Sequence, residues 1–359
     1  MEKRNLSLLF ILVAMGIILR ILIADNIDTS LYETTFKLFP NNFSLQELSS
    51  TSFSPLGYLF SLPLIDLNFA NTRFFNFNLF NDIFGLFSII SIYFLGKNFG
   101  GKNSTTVGLF ASLLCSLSTI LIYLGNSTNV LNASFFLSTL VLLMSSYIII
   151  VKENSKYKYL HILSLILFLV RPISIFFIIC NYLLCSAYGK NKLAKIFTQK
   201  IIHILMAIPI CLVIIFAFCG KINFISFFAP YLSFISVLKP NEVANLVTTN
   251  GHFGDLIFYI LIPASIATYF VIKGISKKRK ETNYLTEFFG FMYPLICIIG
   301  ANLNTCLKTN LLIEIYPIFI ILLSVGIPAI KNKNLKFILL GVFLGIQVFL
   351  LIANIFSNF

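Results

Sequence analysis

The sequence predicts an all-α integral membrane protein that crosses the bilayer about 11 times. Three observations carry that expectation. Of its 359 residues, 58% are hydrophobic and 11% charged, and mean hydropathy is +0.93. That balance lies outside the range of a soluble domain. Apolar runs of the length that crosses ~30 Å of hydrocarbon at ~1.5 Å per residue recur along the chain. Finally, 19 of the 26 Lys and Arg fall in six short clusters between those runs, as they do in the cytoplasmic loops of membrane proteins.

The elements follow in order. Run 6–24 comes after Lys3 and Arg4 and is followed by no small-residue cleavage site, so it reads as a retained span with its N-terminus inside. Runs 74–96 and 104–124 flank Lys97 and Lys102. Run 130–151 leads to Lys152, Lys156 and Lys158. Stretch 159–188 is too long for one helix and carries Arg171-Pro172 at its centre. A proline disfavours helical geometry in the residue before it. The stretch therefore reads as two short helices, 159–170 and 173–188, turning at Arg171. A single span would put the nine cations of the next two clusters, 190–200 and 273–280, on the outer face. With the turn, every cluster lies inside. Runs 201–219, 255–275, 286–301, 311–330 and 337–356 complete the set, and the C-terminus is expected outside.

The whole chain, 1–359, then forms one transmembrane domain with two long extracytoplasmic loops, 25–73 and 220–254. Each loop holds an apolar stretch too short to span, 55–65 and 222–238. These read as re-entrant or interfacial helices.

Composition also excludes some functions. The net charge of +13 is mostly the orientation signal, and no aromatic-and-basic interleaving marks a nucleic-acid groove. The chain has no H-E-x-x-H, no phosphate-binding glycine loop and no nucleophile elbow. Of the three His, only His252 falls on the outer side.

Seven cations are not topology signals: Arg20, Lys37, Arg73, Arg171, Lys221, Lys239 and Lys308. All lie at or toward the expected outer face. Arg171 at the helix break and Arg73 at the outer end of the second span are the best placed to hold a phosphate, with Lys221 next. Interfacial snorkelling is the alternative for each. Acids gather in the first outer loop as Asp25, Asp28, Glu33 and Glu47. They read either as solvated loop residues or as a general base or metal ligand. Asp82 lies inside an apolar run, where a charge is costly and needs a partner or a role. Glu314 falls near the outer end of its span.

An ordered set of short motifs adds a family resemblance. Arg20 is followed by Asp28-Thr29-Ser30-Leu31-Tyr32. Next come Ser54-Pro55-Leu56-Gly57-Tyr58-Leu59 and Thr72-Arg73-Phe74-Phe75-Asn76. The order resembles the GT-C membrane glycosyltransferases, and more narrowly their protein mannosyltransferase and aminoarabinose transferase branch (glycosyltransferase family 39-like). Tyr93 to Gly100, Arg171-Pro172 and Tyr316-Pro317 resemble later elements of the same families. Thr29 stands where those families carry a second carboxylate. Asn129 or Asn132 stands where they often carry an Asp.

The resemblance implies a sugar transferase working at the outer face from a polyprenyl-phosphate-linked donor to an extracytoplasmic glycan, lipid or protein. Asp28 takes the slot of the catalytic base, with Tyr32 to orient it, and Glu33 or Asp25 would stand in for the second carboxylate. Arg73, Arg171 and Lys221 would hold the donor phosphate. Pro55, Tyr58 and His252 would contact substrate. No metal ligands are assigned, and a divalent metal stays open. Membrane lipids are the other expected partners, in the cytoplasmic membrane. The alternatives are an O-antigen-type polysaccharide polymerase or ligase, and a transporter or flippase without enzymatic activity.

Overall fold

A computed structural model describes residues 2–24, 79–118, 120–122, 131–152, 154–188, 211, 224–235, 260–276, 280–300 and 305–356. Among these the regular structure is helical and contains no strand. The helices are α1 (Glu2–Ala24), α2 (Leu79–Gly100), α3 (Ser104–Leu117), α4 (Leu131–Ser146), α5 (Tyr157–Val170) and α6 (Ile175–Tyr188). They continue as α7 (Phe224–Ile235), α8 (Ile262–Ile275), α9 (Lys280–Ile299), α10 (Thr305–Leu311), α11 (Tyr316–Gly326) and α12 (Lys333–Phe356). Of the two loops expected at 25–73 and 220–254, only α7 falls among the described residues.

Two helical stretches, Ile83–Leu117 and Leu131–Val151, are long and apolar enough to cross a membrane. The first is a hairpin. Gly101 takes φ 56°, a left-handed turn open to a residue without a Cβ. The chain then doubles back, so that Ser112 Oγ donates to the Ile89 carbonyl at 3.0 Å and Gly108 packs on Tyr93. α1 runs antiparallel to α2, with Gly16 beside Ile89 and Arg20 over Gly85. That register brings residues 3–4 level with Gly101.

The break at Arg171 is present. α5 ends at Val170, Arg171 is extended at φ −150° and ψ 97°, and Pro172 opens a 3-10 turn leading into α6. The last helical bond runs from the Arg171 amide to the Leu167 carbonyl. α9 begins at Lys280, six residues before the expected 286. Its extra turns are held because Tyr284 is buried and donates to Asn181 Oδ1 on α6.

Tertiary contacts bring the described basic clusters to one end. Asn98 of α2 donates to Ser146 of α4 at 2.8 Å. Phe99 stacks on Tyr284, and Tyr188 meets the same ring edge-on. Those contacts gather the loop after α2, the ends of α4 and α6 and the start of α9. Gly274 of α8 lies against Leu322 and Gly326 of α11, which brings Lys273 level with the approach to Lys331. Lys156, Lys158, Lys273 and Lys336 each lie over an aromatic ring at this end. The reverse ends of the helices meet at a second, very different pole.

Candidate functional site

The second pole collects buried charge. Arg171 and Glu314 are both nearly excluded from solvent, and Arg171 Nη1 lies 2.5 Å from Glu314 Oε1. The same carboxylate oxygen accepts from Ser134 Oγ at 2.8 Å and from Ser174 Oγ at 3.2 Å. Three donors from two places in the chain therefore converge on one atom. Local structure explains each. The proline break frees Arg171 from the helix, and Ser174 sits in the 3-10 turn directly after it. Ser134 lies in the first turn of α4. Glu314 sits in the short 3-10 turn, Ile313–Ile315, that opens α11.

The second guanidinium nitrogen, Arg171 Nη2, is buried and has no hydrogen-bond partner among the described residues. Beside the cluster is a small recess. Ser174 and Glu314 are its polar lining; Phe176, Phe177, Ile296 and Leu311 are among its apolar walls.

The first turn of α4 organises the rest of the pole. Asn132 is fully buried beside the Arg20 guanidinium, which lies over Gly85. Arg20 Nη1 donates to the Gly16 carbonyl at 3.1 Å. Neither polar atom of the Asn132 amide finds a partner among the described residues. Phe135 packs against Tyr316. The Tyr316 hydroxyl shares a 2.8 Å hydrogen bond with Ser118 and donates to the Phe234 carbonyl at 3.2 Å. A second recess lies here, walled by side chains such as Leu114, Leu323 and Phe343. α7 closes it: Gln347 donates to the Ile235 carbonyl, and Tyr231 shares a hydrogen bond with Thr268.

Lys308, on α10, is 3% exposed. Among the described residues no carboxylate pairs with it. Burial holds its ammonium below the ordinary lysine value, with the neighbouring Cys297 acting the other way.

Of the residues expected from sequence, Arg171 is in this cluster. Asp28, Tyr32, Glu33, Pro55, Tyr58, Arg73, Lys221 and His252 lie outside the described residues. Asp82 is in the first turn of α2. No three His, Cys, Asp or Glu side chains converge among the described residues. Glu314, Ser134 and Ser174 were not among the expected site residues. A signal for Glu314 existed, because a lone acid and a lone cation each stood near the outer end of a span in a charge-poor chain. Their separation of 143 residues hid the pairing. No protein-family model matches the chain, and no curated protein matches it.

Proposed function

We propose that this protein is a multi-pass membrane glycosyltransferase of the GT-C type, with about 11 spans and a cytoplasmic N-terminus. It takes a sugar from a polyprenyl-phosphate donor and passes it to an extracytoplasmic acceptor. The observation that carries this reading is the ordered, buried Arg171 at a proline-broken turn on the pole opposite the basic clusters. α5 rises only ~21 Å from that basic end, against ~30 Å of hydrocarbon. On this reading Arg171 lies about 9 Å short of the far edge of the hydrocarbon, toward the side on which a lipid-borne phosphate would be held. Its planar fork is already oriented by Glu314, so little ordering remains when a phosphate oxygen meets the other nitrogen.

The chemistry is a displacement at the anomeric carbon. The acceptor hydroxyl gives its proton to a carboxylate, Asp28 or Glu33 by the sequence resemblance, as its oxygen forms the new glycosidic bond. The bond from the anomeric carbon to the phosphate oxygen breaks, and the lipid phosphate leaves with the bonding pair. A cation at the phosphate stabilises that charge.

The test is sugar transfer by the reconstituted full chain from a polyprenyl-phosphate sugar. Asp28→Asn should slow transfer ~100-fold or more, and Arg171→Ala should lower it well below Arg171→Lys. Full activity in Asp28→Asn together with Glu33→Gln would remove the first loop from the chemistry.

One observation also favours a transporter. A buried Arg–Glu pair inside a helical bundle is a feature of substrate pathways. Proteoliposomes that move a lipid-linked sugar across the bilayer without transferring it would select that reading.

A further inference from the structure

Arg171 and Glu314 meet through one atom on each side. Arg171 Nη1 donates to Glu314 Oε1, and that same oxygen accepts from Ser134 and Ser174. An Arg–carboxylate pair is often a fork on a fork, with two parallel bonds, one to each oxygen. Here Nη2 has no hydrogen-bond partner among the described residues, so the second bond of the fork to Glu314 is not made. The serines supply a cause. A carboxylate oxygen offers about two lone-pair directions, and three donors already crowd Oε1. Two of them draw it toward α4 and toward the turn after Arg171, which holds the carboxylate with one oxygen to the guanidinium. Ser134 also departs from the habit of its own helix. Ser138, Thr139, Ser145 and Ser146 of α4 each donate to a carbonyl of α4 itself, as helical hydroxyls commonly do. Ser134 instead reaches across to Glu314.

From this geometry we infer that Ser134 and Ser174 are positioning residues, which hold the Arg171–Glu314 pair to a single bond and so keep Nη2 open for the donor phosphate. This rests on the reading of Arg171 as the phosphate-binding group. Without the two hydroxyls the carboxylate turns and Nη2 closes onto its second oxygen. The ion pair then becomes stronger while the phosphate loses its donor. Stability and binding therefore move in opposite directions, which a role in packing alone would not produce.

The experiment uses the full chain in mixed micelles with undecaprenyl phosphate as the ligand, calorimetry for binding and reversible unfolding for stability. Ser134→Ala/Ser174→Ala should bind it about tenfold to a hundredfold more weakly than wild type, the size of one hydrogen bond to a charged group. The ligand-free alanine variant should unfold no earlier than wild type; earlier unfolding would make the serines structural only and overturn the proposal. The coupling between Arg171 and Glu314 comes from the cycle of Arg171→Met, Glu314→Leu and both together. Expressed as a ratio of unfolding constants, it should grow about tenfold or more when the serines are alanine. Ser134→Thr and Ser174→Thr keep the hydroxyl and should recover most of the binding. Arg171→Ala is the control for the reading underneath. If it leaves undecaprenyl phosphate binding unchanged, Arg171 does not hold the phosphate, and the positioning role falls with it. If Arg171→Ala weakens binding and the alanine variant does not, the positioning role alone is wrong. An unchanged or smaller coupling in the alanine background means that the serines do not hold the pair to one bond, and it too overturns the proposal.

Discussion

Arg171→Met is the most telling single perturbation of this fold. It removes the only charged donor among the three on Glu314 Oε1 and leaves the hydroxyls of Ser134 and Ser174. Breaking a buried ion pair from one side costs about 3–5 kcal/mol, because the remaining charge stays buried. The two serine hydrogen bonds contribute about 1 kcal/mol each and survive, which places the expected loss near the lower bound, about 3 kcal/mol. Glu314→Leu strands the guanidinium in the same way and should cost a similar amount. The double variant Arg171→Met/Glu314→Leu buries no charge, and its serines can turn to carbonyls of their own helices. It should lose about 1–2 kcal/mol at most, far less than the sum of the singles. The measurement is reversible unfolding of the purified protein in mixed micelles, followed by circular dichroism. If the single losses add to within about 0.5 kcal/mol, the pair does not tie α11 to the α5–α6 break, and the reasoning fails. Sugar transfer separates stability from function, since the double variant should recover the fold and remain inactive.

Two further outcomes follow from the packing and the topology. A Cβ at Gly326 would lie 1.7 Å from the Phe270 carbonyl oxygen, whereas one at Gly341 meets nothing within 4 Å. In the same assay Gly326→Ala should cost about 1–3 kcal/mol by forcing α8 and α11 apart, and Gly341→Ala should be neutral or gain up to about 1 kcal/mol from helix propensity. Equal effects would mean that α8 and α11 are not in close contact. Cysteines placed near Asn41 and Glu242 should react with an impermeant reagent from outside, and one at Lys278 should not. Labelling at Lys278 would reverse the direction of every helix after Arg171.

The sequence by itself determined the helical class of the structure. Helices form where apolar runs must satisfy their backbone internally, and such runs are legible one at a time because helical hydrogen bonds are local. The Arg171 break was legible for the same reason, since the clash that causes it involves only Pro172 and its neighbour. The spread of cations marked one pole, and contacts such as Asn98 with Ser146 and Phe99 with Tyr284 gather the described clusters independently.

Only the tertiary structure decided which polar groups meet. Arg171 looked like a free cation from its surroundings in sequence, yet its charge is answered by Glu314 from 143 residues away. Lys308 looked like one of seven stray cations and proved nearly excluded from solvent. Asn132 proved to be a buried neighbour of Arg20 through the flat surface at Gly85. Each of these pairings depends on how helices distant in sequence pack. In a membrane almost any apolar face can meet another, so hydrophobic pattern fixes the helices but not their partners. The few polar side chains choose those partners, because an unmatched buried charge or amide costs more than most apolar contacts return.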